Sequence, residues 1–224
     1  MSRGRDAGQL AREIHRRMAA LPRRTAEAMR AVRREYSQAL ATEKAGFVIR
    51  LSLHLLEQPD PLCRVLAYEL IIHHGHAFES LTQDQLLKLG RGIDSWGAVD
   101  CFAGYLSGPV WRDGRLPDAL VMEWTRSTDR WWRRAALVST VALSRRGEAG
   151  DVRRTVETCA ALVRDRDDMV VKALSWALRE LAKKHPAAAR RFLTRHGRSL
   201  AARVTREVGN KLSTGLKNPR RRVE

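Results

Sequence analysis

The sequence has 224 residues, 44% of them hydrophobic and 30% charged, enough for one sizeable core or a short repeat array. Its net charge is +17 and only seven of its 42 basic residues are lysine, which disfavours cationic partners and points to an acidic one. Three cysteines far apart (Cys63, Cys101 and Cys159) exclude a complete disulfide framework and fit a reducing cytoplasm.

The charge is uneven. Residues 1–124 hold 17 Lys/Arg against 15 Asp/Glu, a net of +2, whereas residues 125–224 hold 25 against 10, a net of +15. One basic surface is implied, built mainly from arginine, which donates two parallel hydrogen bonds to a phosphate. Nucleic acid is the leading partner and an anionic membrane surface the second. No run reaches the roughly 18 apolar residues of a membrane span. The N-terminus lacks the apolar core of a secretory signal. There Leu10, Ile14, Met18 and Leu21 make the buried stripe of a first helix.

Along the chain nearly everything reads as helix. Ala, Leu, Arg and Glu dominate, and no hairpin signal separates alternating apolar runs. Breaks are expected at Pro22, Pro59-Asp60-Pro61, Gly75, Gly108-Pro109, Asp113-Gly114, Gly147, His185-Pro186 and Gly197. His73-His74-Gly75-His76 resembles a metal tract only loosely, lacks acidic or cysteine partners and has Gly75 ending a helix; no metal or other cofactor is expected. In Arg91–Asp100, RGIDSWGAVD, a helical reading sets Trp96 and Asp100 one above the other on one face. A π surface beside one carboxylate can stabilise a cation; the alternative is a core tryptophan and a solvated acid.

The second half repeats. Helices from about Pro117, Asp151 and Pro186 are each followed by a partner, from about Asp129, Asp167 and Ser199. Arg134, Lys172 and Arg206 hold equivalent places in the second helix of each pair, at intervals of 38 and 34 residues. Such periods indicate stacked helical pairs, and without a TPR signature HEAT-like pairs are favoured. The expected fold is all-α: a single HEAT-like repeat domain over residues 1–216 with a concave basic face, then a basic tail at 217–224.

In the helix from Asp167, Lys172, Trp176, Arg179 and Lys183 share one face, and Met169, Val170, Ala173, Leu174, Ala177, Leu178 and Leu181 form the apolar stripe. A tryptophan among three bases can stack on a base or sugar while the bases hold phosphates. Of Trp131 and Trp132 at least one should pack between repeats; Arg133 and Arg134 follow, Arg134 in phase with Lys172. No Walker A loop, Rossmann glycine pattern, G-x-S-x-G or H-E-x-x-H occurs.

Taken in order, SWGAVD, WWRRAAL and KALSWALRELAKKHP resemble the AlkD-type DNA alkylpurine glycosylases, the DNA alkylation repeat proteins, over about residues 80–215. The resemblance implies a monofunctional glycosylase that excises cationic N3- and N7-alkylated purines from double-stranded DNA without flipping the base into a pocket. It implies that Trp96, Asp100 and Trp176 line the cleft against the damaged nucleotide and that Arg134 and Arg179 hold the flanking backbone. Lys172, Arg133, Lys183 and Arg206 are added from their placement on the basic helices. Ser95 and Gly97 stand where the family often has an aromatic and an acid, and residues 1–35 lack the family's early aromatics. A less crowded cleft for bulky adducts is the expectation, as in relatives that protect producers of DNA-alkylating antibiotics. The chain is expected to be monomeric, without a membrane or an obligate protein partner. The competing functions are a non-catalytic protein binding damaged or branched DNA and a HEAT-like protein scaffold.

Overall fold

A computed structural model describes residues 6–146 and 149–219. Among them every regular element is helical and no strand occurs. The chain divides between Leu106 and Ser107 into two compact units.

The first unit contains α1 (Ala7–Ala19), α2 (Ala26–Ala39), α3 (Ala45–Leu56), α4 (Pro61–Ile72), the short α5 (Gly75–Glu79), α6 (Gln83–Gly90) and α7 (Trp96–Cys101). Helices α3 and α4 supply its centre, with Val48, Leu51, Leu55, Leu66, Ala67 and Ile71 at or near zero exposure. Of the stripe expected for α1, Leu10, Ile14 and Met18 are buried, whereas Leu21 lies past the helix end and is half-buried; α1 packs on α3. Helix α2 buries only Val32 and Tyr36. The Tyr36 hydroxyl donates to Glu13 at 3.2 Å, and burial, reinforced by Glu13, pushes its pKa up to about 12.

Local chemistry sets the helix starts. Asp6, Thr25 and Asp60 cap α1, α2 and α4, the last with Pro61 in the first turn, where its missing N–H costs nothing. Two expected breaks differ. Gly75 begins a helix instead of ending one: the N-cap is the buried His74, whose Nδ1 accepts from the Ala77 amide at 3.1 Å. Its Nε2 therefore carries the proton, donated to the Glu43 carbonyl at 3.1 Å. At Gly108-Pro109 the helix does not break; α7 passes through π-helical turns over Phe102–Ser107 into α8 (Gly108–Arg112). Proline has no N–H for an unbroken α ladder, and the wider turns ahead of it change the hydrogen-bond register.

The second unit continues from α8 with α9 (Asp118–Trp124), α10 (Arg130–Arg146), α11 (Ala149–Ala161), α12 (Asp168–Lys184), α13 (Pro186–His196), a 3₁₀ turn (Gly197–Ser199) and α14 (Ala202–Thr214). These make the three HEAT-like pairs expected from the repeat. Asp129 and Asp167 sit at equivalent starts and accept from the amides of Trp131 and Met169 at 2.8 and 2.9 Å. Helices α10, α12 and α14 pack closely side by side, whereas α9, α11 and α13 pack less closely on one another. The expected stripe of α12 is buried apart from Met169, which is half-buried. Gly215, at φ +75°, ends α14 in the left-handed conformation that a side chain would resist. The break expected at Gly147 and the Arg220–Glu224 end of the expected tail lie outside the described residues. Among the described residues no helix is long and apolar enough to cross a membrane.

Candidate functional site

Helix α6 opens with a capping box between Thr82 and Gln85 and closes at Arg91. Gly92 then turns the chain with φ +70°, Ile93 anchors it in the core, and Ser95 caps α7 by accepting from the Ala98 amide at 3.4 Å. The apolar residues after the cap (Ala98, Val99, Phe102, Ala103 and Leu106) all point inward. Trp96 and Asp100 consequently fall on the outward face, one turn apart. Trp96 is 62% exposed, so the alternative of a core tryptophan does not apply. Asp100 is half-buried. A Cβ at Gly97 would meet nothing within 4 Å, leaving the surface beside Trp96 bare. Burial, then the carboxylates of Glu69 and Asp100, push Cys101 up to about 11, so the neighbouring thiol stays protonated.

The second unit carries the other expected site residues, and the structure treats them unequally. Arg134 is buried, at 5% exposure, and donates from Nη1 to the Met169 carbonyl at the start of α12. Arg133 pairs with Asp165 at 2.7 Å and donates to the carbonyls of Ser127 and Thr128 at 2.9 and 3.0 Å. Both arginines tie one pair to the next. Lys172 is exposed and reaches Asp168 at 2.6 Å; Lys183 is exposed and reaches Glu180 at 2.7 Å. Arg206 is exposed, with no carboxylate in ion-pair range among the described residues. Trp176 is half-buried on α12. Trp132 packs on the buried Trp124 with ring centres 4.9 Å apart, while the Arg130 guanidinium lies 4.8 Å over Trp131. This contact lies within one helical pair, α9 on α10, whereas the expectation was packing between repeats.

Sequence reading missed the groups that hold Arg179. Its Nε points to Ser175 Oγ at 3.3 Å and to Glu207 at 3.8 Å. Ser175 donates to Glu207 at 2.6 Å, and Glu207, only 5% exposed, also faces Lys217 at 3.6 Å. Glu207 directly follows Arg206, and its burial depends on the packing of α14 against α12. The one signal was the lone acid in the otherwise basic run Arg203–Lys211.

The stacked pairs of the second unit make this a helical-repeat protein with a row of basic side chains along α12 and α14. The family model for DNA alkylation repair enzymes matches residues 15–212, and the chain belongs to that family. Its role lies in DNA alkylation repair. No curated protein matches the sequence significantly.

Proposed function

We propose that the chain is a monofunctional DNA glycosylase. It hydrolyses the N-glycosidic bond of cationic N3- and N7-alkylated purines in duplex DNA, bulky adducts included, and leaves an abasic site. The observation that carries this reading is Asp100 placed one turn beyond the exposed Trp96 on the outward face of α7. A protein that only bound DNA would gain nothing from a carboxylate facing a polyanion.

Alkylation at N3 or N7 gives the purine a formal positive charge, so it departs without a general acid. One carboxylate is then enough, unlike the pair used on ordinary glycosides. As the bond breaks, positive charge moves to the sugar. Asp100 stabilises that oxocarbenium character and orients the attacking water. Trp96 and Trp176 offer aromatic faces to the cationic nucleotide. Lys172, Arg179, Lys183 and Arg206 hold phosphates, while Arg133 and Arg134 fix the helices that present them. The bare backbone at Gly97 supports acceptance of bulky groups.

The test incubates the full chain with duplexes carrying N7-methylguanine, N3-methyladenine or a bulky N3-alkyladenine and assays the freed base. The expected result is release of the alkylated purine, with the strand intact until alkali is added. Tight binding without release from any duplex would assign the chain to the non-catalytic class.

A further inference from the structure

A second surface lies on α11 and α13, helices that carry none of the side chains assigned to DNA. A trough of about 890 Å³ runs between these helices. Val152, Val156 and Ala160 recur every fourth residue along α11, facing Ala188 and Phe192 of α13. Its floor is thus apolar and recessed: Phe192 and Ala188 are 3% and 8% exposed. Its rim is cationic on balance: its one carboxylate, Glu157, is paired with Arg153 at 2.8 Å, leaving three further arginines. Arg190, Arg191 and Arg195 are exposed and, among the described residues, have no carboxylate in ion-pair range. At one end His196 packs on Phe192 with ring centres 4.6 Å apart, its pKa lowered by burial and then by Arg195.

We propose that this trough is a docking site for an acidic amphipathic helix of another protein. An apolar groove between two helices accepts side chains spaced at i, i+4 and i+7 on a third, and the arginine rim selects acidic flanks. Charge excludes the chain's own ends: Arg3 and Arg5 at the start and Arg220–Arg222 at the finish would meet the rim with like charge. A second copy presenting this same face is disfavoured for the same reason. A flat bilayer cannot reach a recessed floor, and duplex DNA gains nothing from an apolar one.

The probe is a fluorescent synthetic helix with leucines at i, i+4 and i+7 and glutamates on both flanks, titrated into the full-length protein by anisotropy. A scrambled peptide of identical composition and a lysine-flanked version serve as controls. The expected result is binding of the acidic helix alone. It should weaken at least about tenfold in Arg191→Glu/Arg195→Glu, a variant altered only at exposed positions, and that variant should gain affinity for the lysine-flanked helix. Ala160→Asp should also weaken binding, with circular dichroism reporting its fold. Equal binding of the scrambled peptide, or no binding of any peptide, would overturn the proposal. So would wild-type affinity in the charge-reversed variant, displacement by duplex DNA, or preference for phosphatidylglycerol vesicles over the helix.

Discussion

In the proposed reaction Asp100 carries the chemistry, and its replacement tests charge separately from shape. Asp100→Asn should leave folding and duplex affinity unchanged, or raise affinity slightly, because the carboxylate approaches a polyanion in the ground state. Base release should slow at least ~100-fold, since the carboxylate is repaid only as the sugar becomes cationic. The loss should be larger for N7-methylguanine than for the more labile N3-alkyladenines, as measured by single-turnover release. The basic residues divide by burial. Lys172→Ala and Arg206→Ala should each lower the salt slope of duplex binding by about one unit. Arg134→Ala should instead cost about 1–3 kcal/mol of stability, because it removes a buried charged donor from the Met169 carbonyl. Chemical denaturation and binding titrations on the same three variants check this division; a slope change without a stability change at Arg134 would place its guanidinium on phosphate.

At the scale of elements, the start of α7 is set by short-range chemistry. Gly92 adopts φ +70° and Ser95 caps the helix, so Trp96 begins the first turn facing outward. Gly92→Ala should cost about 1 kcal/mol or more, since alanine resists that conformation, and should turn the Trp96–Asp100 face relative to α6. The measurement is a lower unfolding midpoint together with a changed Trp96 fluorescence spectrum, the latter read in a chain whose other tryptophans are unaltered as background. The α12–α14 contact depends on longer-range chemistry. Buried Glu207 collects Ser175 and Arg179 from α12, so the basic face and the packing beneath it are one structure.

For the whole molecule, the buried acids predict the pH range of stability. Burial pushes Cys63 from 9.0 up to about 12, and Cys101 up to about 11. Burial likewise pushes Tyr68 from 10.0 up to about 12. The unfolded chain releases these protons first. Their contribution is constant below the unfolded values and becomes unfavourable to the fold as pH rises through them, so stability should decline above about pH 9. Melting temperatures taken from about pH 7 to 10.5 test the sign. In the folded protein at neutral pH the same thiols should react slowly with iodoacetamide, and all three cysteines should react after denaturation.

Much of this was legible in the sequence because it is local. Caps such as Asp129 and Asp167 start their helices by bonds to amides two residues on, so spacing alone located the repeated pairs. The i, i+4 relation of Trp96 and Asp100 follows from helix geometry once Ser95 starts α7, although the sequence left open whether Trp96 faced in or out. The apolar stripe of α12 followed from its period. What sequence could not determine was the fate of residues in the same register. Arg134, Lys172 and Arg206 occupy equivalent places, yet the first is buried and the others exposed. Register sets the direction a side chain leaves its own helix; the next helix decides whether that direction leads to water. Helix α12 covers Arg134 and offers it a carbonyl, whereas α14 is the last helix among the described residues and Arg206 stays open. For the same reason the burial of Glu207, and its hold on Arg179, belong to the tertiary structure alone.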